Sequence, residues 1–417
     1  MIQKTDLNKL LLTLSLAMDF SRHGLMRHHQ RVAFISLRIG EELGLTLEQK
    51  QKLFRAAVVH DAGVSTWREK SYLESFDLVN PWDHCRSGAQ LFKSLDGIIN
   101  ISDIILYHHD RWDGASESGL ASEAIPLESR IIHLADRVDV LVSRDACLLD
   151  QRDDVVAKIK SQSGVLFDPL LVEVLEQVAV KECFWFDLLS EFIQYQLEED
   201  VATDFISLEM TDLLSLGEVF ASIIDGKSAF THRHSRLVSG VAGLLAGQMG
   251  YSRYRCDMML LAGLMHDLGK LTIPENILEK PGTLDGSEYN LIKQHTYYTY
   301  KILGMIRGFE EIRDWAAFHH EKLDGNGYPF HLKHGQISHG SRIMAVADIY
   351  SALVEDRPYR NGMPEPKIKE ILWNEVKRKH IDGEVVDALV RNIDGAREIY
   401  NRLKLAAGNF ICCSNRV

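Results

Sequence analysis

The segment DMMLLAGLMHDLGK (257–270) decides the fold of this chain. It is apolar nearly throughout and reads as a buried helix that stops at Gly269. His266 and Asp267 are expected in its last turn. Imidazole is a good ligand for iron, manganese and zinc, and a neighbouring carboxylate can bridge two ions. A His-Asp pair at the end of a buried helix is therefore a candidate metal-ligand unit.

Working outward, further candidate ligands follow in order: His234 upstream, then His295, His319, His320 and Asp348. The first half of the chain repeats the pattern as His28, His60, Asp61, His84, His108, His109 and Asp136. The two copies are offset by 206 residues at the first three positions, 211 at the next three and 212 at the last. A fixed offset with small jumps is the mark of a duplicated domain that has gained residues in its loops. Each histidine taken alone is a core or surface residue. Five histidines and two aspartates recurring in order, in both halves, are candidate ligands for two ions per copy.

Helical periodicity dominates the rest. Val32, Ile35, Ile39 and Leu43 recur at three-to-four spacing, as do Leu237, Val238, Val241, Leu244, Leu245 and Met249. Helices are expected over 308–321, carrying His319 and His320 near the end, over 342–354, carrying Asp348, and over 207–224. The expected fold is all-α, two tandem helical domains from an internal duplication, covering 1–198 and 199–417. No Gly/Ser or Pro-rich linker separates them.

Hydrophobic residues make up 46% of the 417 and charged residues 25%, which is ordinary for a globular protein. The net charge of -12 argues against a nucleic-acid polymer as partner, because phosphate backbones select basic surfaces. It leaves open a small phosphorylated ligand, since bound metal ions supply local positive charge. The six cysteines form no CxxC pair, so reduced thiols and a cytoplasmic location are expected. No apolar run is long enough to cross a membrane. A homodimer is the default expectation on symmetry grounds alone.

The string HDLGK (266–270), KPGTLDGSEY (280–289), HHEKLDGNGYP (319–329) and ADIYSALVEDRPYR (347–360) closely resembles the HD-GYP domain, a branch of the HD phosphohydrolases. The resemblance covers roughly 207–371. It implies a helical domain that cleaves cyclic dinucleotides, above all cyclic di-GMP, at a non-haem metal centre. Carried over by position, it implies one ion on His234, His266 and Asp348, a second on His295, His319 and His320, and Asp267 bridging them. It implies that Lys270, Arg357 and Arg360 contact substrate phosphate and that Gly327, Tyr328 and Pro329 form the signature loop beside the site. Phe230 stands where some members have a Glu that helps hold a third metal, so two divalent ions are expected. Iron is favoured, with manganese next. Ser351 stands where the family commonly has Asp, which puts the orientation of the ligands in doubt. Taken singly, Lys270 reads as a solvated cation at a helix end.

The first copy keeps the seven candidate ligands and HHDRWDG (108–114), but Val64 replaces Lys270 and no GYP loop follows Gly114. His28, His60, Asp61, His84, His108, His109 and Asp136 thus form a candidate second metal site without phosphate contacts. A degenerate structural or regulatory module is favoured over a second hydrolase acting on the linear product or a nucleotide monophosphate.

The leading functional reading is a metal-dependent phosphodiesterase that opens cyclic di-GMP or 3′,3′-cyclic GMP-AMP to a linear 5′-phosphorylated dinucleotide. Asp267 and Lys270 carry its chemistry: paired ions activate water and polarise the phosphodiester, and Lys270 offsets charge building on phosphorus-bound oxygens. The alternative is a non-catalytic receptor for the same ligand.

Overall fold

The computed structural model describes residues 3–20, 27–64, 75–77, 80–202, 204–226, 233–280, 282–356 and 361–414. They form two compact units that divide between Ile206 and Ser207. The division falls later than Glu199 because the helix Ile193–Asp200 packs on His28–Glu42 of the first unit.

Both units are helical, and the helices come in the same order. In the first unit the ligand-bearing region runs through Leu7–Phe20, His28–Glu42, Leu47–Ala57, Trp82–Phe92 and Leu127–Leu141. In the second it runs through Met210–Gly226, His234–Gln248, Arg253–Met265, Gly286–Leu303 and His339–Val354. Two four-residue strands, Gln3–Asp6 and Phe205–Leu208, pair in one short sheet. The helix expected from residue 207 starts at Met210, after the second strand.

In the second unit His234–Gln248 is the central helix, packed against Arg253–Met265, His339–Val354 and Ile393–Ser414. Leu237, Val238, Val241, Ala242 and Leu245 are all essentially fully buried on it. Burying each Val or Leu contributes roughly 1.5–3 kcal/mol. That burial holds His234, the helix's first residue, at the junction of three helices. Asp285 and Glu288 form a capping box that starts Gly286–Leu303, and Ser338 caps His339–Val354 through the Ser341 amide.

Among the described residues no helix is long and apolar enough to cross a membrane, and Cys85, Cys147, Cys183 and Cys256 are free thiols.

Candidate metal centre

The helix that begins at Arg253 ends at Met265, before the His-Asp pair expected in its last turn. His266 is its C-cap, and Asp267 opens a 3-10 turn over Leu268–Thr272. His266 Nδ1–H donates to the Gly263 carbonyl at 2.8 Å. His319 sits just past the helix Glu310–Ala317, which ends earlier than expected, and its Nδ1–H donates to the Ala316 carbonyl at 2.7 Å. His295, within Gly286–Leu303, donates to the Ile292 carbonyl at 2.6 Å. Each bond fixes the tautomer that leaves Nε2 as a lone pair, the form a metal needs.

These lone pairs converge. His295 Nε2 and His319 Nε2 are 3.3 Å apart, and His295 Nε2 is 3.6 Å from Asp267 Oδ1. His234 Nε2 lies 3.2 Å from Asp348 Oδ1, and His266 Nε2 lies 3.1 Å from Asp267 Oδ2. Ligand atoms of His295, His319 and His320 fall within 4.8 Å of one another, as do those of His234, His266 and Asp348. Asp267 reaches both groups, being 3.9 Å from His234 Nε2.

Two imidazole lone pairs facing each other at 3.3 Å have no proton to share, because both Nδ1 atoms already donate. Burial pushes His295 down to about 3 and His319 well below its ordinary value, so both are neutral. A cation between them turns repulsion into ligation; bonds of about 2.0–2.1 Å to a tetrahedral ion place two nitrogens about 3.3 Å apart. His266 Nε2 and Asp267 Oδ1 are also buried without hydrogen-bond partners. At His234, burial lowers the pKa, but bonds to Asp348 and Glu355 outweigh it and raise it to about 10. The negative field that holds a proton there suits a cation equally. The residues present fit divalent metal.

Close packing shapes the surroundings. A Cβ on Gly269 would stand 1.9 Å from the His295 carbonyl, and one on Gly63 would stand 2.1 Å from the His84 carbonyl. Only glycine lets the His-Asp turn meet the next ligand helix in either unit. Gly327 is similarly constrained, with a Cβ meeting the Lys322 amide at 2.3 Å. Glu321 holds the loop that follows by accepting from the Phe330 and Leu332 amides at 2.7 and 2.9 Å. The Tyr328–Pro329 peptide is cis, and the Tyr328 ring lies 5.0 Å from that of His320. Lys270 Nζ bonds to Asp267.

A cavity of about 430 Å³ opens beside Tyr328. Tyr289, Lys293 and Tyr297 line one wall at four-residue spacing on the helix Gly286–Leu303, and Lys322 and Asn326 line another. Lys293 Nζ sits 4.8 Å over the Tyr289 ring. Flat aromatic faces and ammonium groups together suit nucleobases and phosphates.

The first unit reproduces the centre almost distance for distance. His60 and His108 donate from Nδ1 to the Ala57 and Ile105 carbonyls at 2.8 and 2.6 Å. His84 Nε2 and His108 Nε2 are 3.3 Å apart, and His28 Nε2 is 3.4 Å from Asp136 Oδ1. Its differences lie around the ligands. Arg137, 1% exposed, bonds Asp136 Oδ2 at 2.6 Å and the Ser75 carbonyl at 2.6 Å. Ile349 is the matching residue in the second unit.

Models of the HD domain match residues 25–141 and 218–385. The chain is 34% identical, over 88% of its length and 87% of the relative's, to 3′3′-cGAMP-specific phosphodiesterase 1 of Vibrio cholerae. The chain belongs to the HD-GYP family of cyclic-dinucleotide phosphodiesterases. The V. cholerae 3′3′-cGAMP-specific phosphodiesterase 3 is 29% identical over 95% of this chain and 96% of that protein. A solved cyclic GMP-AMP specific phosphodiesterase of V. cholerae superposes with a TM-score of 0.67 at 27% identity, covering 94% of this chain and 98% of the other. A cyclic di-GMP phosphodiesterase of Thermotoga maritima is 34% identical over 50% of this chain and 57% of its own length.

In this HD-GYP chain the seven expected ligands of each unit, and Lys270, Gly327, Tyr328 and Pro329, all lie at or beside the buried centres just described. Arg357, Arg360 and Phe230 lie outside the described residues. Sequence reasoning missed Glu355, Glu321 and the tyrosine-lysine wall. A Tyr-Lys-Tyr run at four-residue spacing was the available signal for the wall. No local signal marks Glu355. It lies just past the end of His339–Val354, and its Oε2 accepts from His234 Nδ1 at 2.8 Å. The doubt raised by Ser351 is thereby answered, because another carboxylate orients His234.

Proposed function

We propose that the second unit's centre holds two divalent ions, one on His234, His266 and Asp348 and one on His295, His319 and His320, with Asp267 between them. The proposed reaction opens 3′,3′-cyclic GMP-AMP to the linear 5′-phosphorylated dinucleotide, with cyclic di-GMP as the slower substrate. The observation that carries this reading is the set of converging buried lone pairs beside an aromatic, cationic cavity. The preference for the hybrid dinucleotide rests on coverage. The two relatives that align over nearly the whole two-unit chain are both named cGAMP-specific, whereas the T. maritima cyclic di-GMP enzyme aligns over half.

Divalent ions bound there supply Lewis acidity to the phosphodiester and lower the pKa of water. Iron is the proposed metal and manganese the runner-up, on the histidine-rich, carboxylate-containing ligand set. The chain's own residues do the rest. Carbonyl bonds hold the imidazoles neutral and aimed. Lys270, a quarter exposed, reaches from Asp267 toward the substrate phosphate as a point charge. Tyr289, Tyr297 and Tyr328 offer faces to the bases, and Lys293 and Lys322 offset phosphate charge.

The test is product analysis. The protein is loaded anaerobically with Fe(II) and given both cyclic dinucleotides, with Asp267→Ala as control. Linear 5′-phosphorylated product, formed faster from the hybrid and absent with the variant, is expected. Full metal loading without cleavage of either overturns the enzyme reading in favour of a receptor.

A further inference from the structure

The first unit differs from the second at one further position inside its centre. Cys85 follows His84 on the helix Trp82–Phe92 and is 1% exposed. The matching residue in the second unit is Thr296, whose hydroxyl turns back to the Lys293 carbonyl at 3.0 Å. Cys85 Sγ instead lies 3.7 Å from His84 Nε2. Ligand atoms of His84, Cys85, His108 and His109 all fall within 4.8 Å of one another and all four residues are buried.

We propose that the first unit binds a zinc ion through His84, Cys85, His108 and His109, a closed four-ligand site of structural type. Tetrahedral zinc, with nitrogen at about 2.0–2.1 Å and sulfur at about 2.3 Å, sets its ligand atoms about 3.3–3.6 Å apart. The observed gaps are 3.3 Å between His84 and His108 and 3.7 Å between His84 and Cys85. Both ring nitrogens of His109 are buried without hydrogen-bond partners, so its lone pair has no competing use. Asp61 Oδ1 stands 3.4 Å from His84 Nε2, close enough to compete, yet a thiolate is the softer ligand and selects zinc. The Cys85 thiol donates to the Pro81 carbonyl at 3.2 Å. Binding exchanges that S–H bond for a sulfur–zinc bond and releases the thiol proton to solvent.

The rest of the first centre points the same way. Four protein ligands leave no open position at that ion, and the Arg137 guanidinium holds Asp136 Oδ2, which partly neutralises the carboxylate whose Oδ1 faces His28. An ion closed by four protein ligands is a structural staple, and this reading is independent of the phosphodiesterase proposal.

Cobalt(II) reports the thiolate directly. Full-length protein carrying His266→Ala, Asp267→Ala and His319→Ala, which removes the shared carboxylate and one histidine from each proposed ion of the second centre, is loaded with Co(II). A near-ultraviolet sulfur-to-cobalt charge-transfer band is expected, and Cys85→Ser in the same background loses it. Zinc-edge X-ray absorption on that same second-centre variant needs no change in the first unit and is expected to show one sulfur neighbour per zinc. A band that survives Cys85→Ser, or a zinc shell of nitrogen and oxygen alone, overturns the proposal.

Discussion

His234 Nδ1 is held by Glu355 Oε2 at 2.8 Å, whereas its counterpart His28 Nδ1 is held by Asp139 Oδ2 at 2.7 Å. The two carboxylates do not occupy matching positions. Asp139 lies one helical turn after the ligand Asp136, and the residue at its place in the second unit is Ser351. Glu355 reaches the same histidine nitrogen from two turns after Asp348, with a longer side chain. Arg31, which shares Asp139, is matched by Leu237. A buried carboxylate that has lost its arginine is costly, so the loss of that charge pair and the move of the orienting carboxylate to Glu355 form one coherent exchange.

Glu355→Ala is accordingly expected to lower metal affinity or turnover about 10–100-fold, the usual effect of removing a carboxylate that orients a ligand histidine. Ser351 is buried with its hydroxyl unpartnered. Adding Ser351→Asp to the Glu355→Ala variant is therefore expected to restore part of the loss. Metal titration of both variants checks this, and equal affinity in wild type and Glu355→Ala sinks the assignment.

Lys270→Met separates charge stabilisation from metal binding. Turnover is expected to fall roughly 10²–10³-fold, as for loss of one transition-state donor, while the metal content measured by mass spectrometry stays at the wild-type value. Loss of metal along with activity would instead make Lys270 a support for Asp267.

Tyr289→Ala tests the cavity wall. Removing one stacking face costs about 1–3 kcal/mol, so KM is expected to rise about 5- to 150-fold with kcat nearly kept. Steady-state kinetics on both cyclic dinucleotides gives the answer, and an unchanged KM for both places the bases elsewhere.

Asp225 gives a pH signature. Burial pushes its carboxyl up to about 6, despite the Ser235 hydroxyl bond at 2.7 Å. In the unfolded chain it titrates near 3.9 (roughly the model-peptide value). The folded state thus binds this proton more tightly. The resulting stability is complete below the unfolded pKa and is lost as pH rises through about 6, amounting to about 3 kcal/mol at most. Asp225→Asn is expected to be more stable than wild type at pH 7, with the gap closing near pH 4. Thermal unfolding of chelated protein at both values is the measurement, and a gap that does not change with pH refutes it.

The duplication, the helical class, the order of the fourteen candidate ligands and the family resemblance were legible in the sequence, because residue order and three-to-four apolar spacing are local properties. Helix ends were less so. His266 and His319 stand just beyond their helices, where their ring N–H groups bond to terminal carbonyls.

What the sequence by itself determined is which residues are available to bind metal and in what order they come. Only the tertiary structure decided which atoms face each other: Glu355 on His234 across 121 residues, Asp139 on His28 across 111, and His108 on His84 across 24. The physical reason is that a side chain's partner depends on how distant helices pack. That packing is set by the summed burial of many residues, of which no short stretch of sequence carries more than a part.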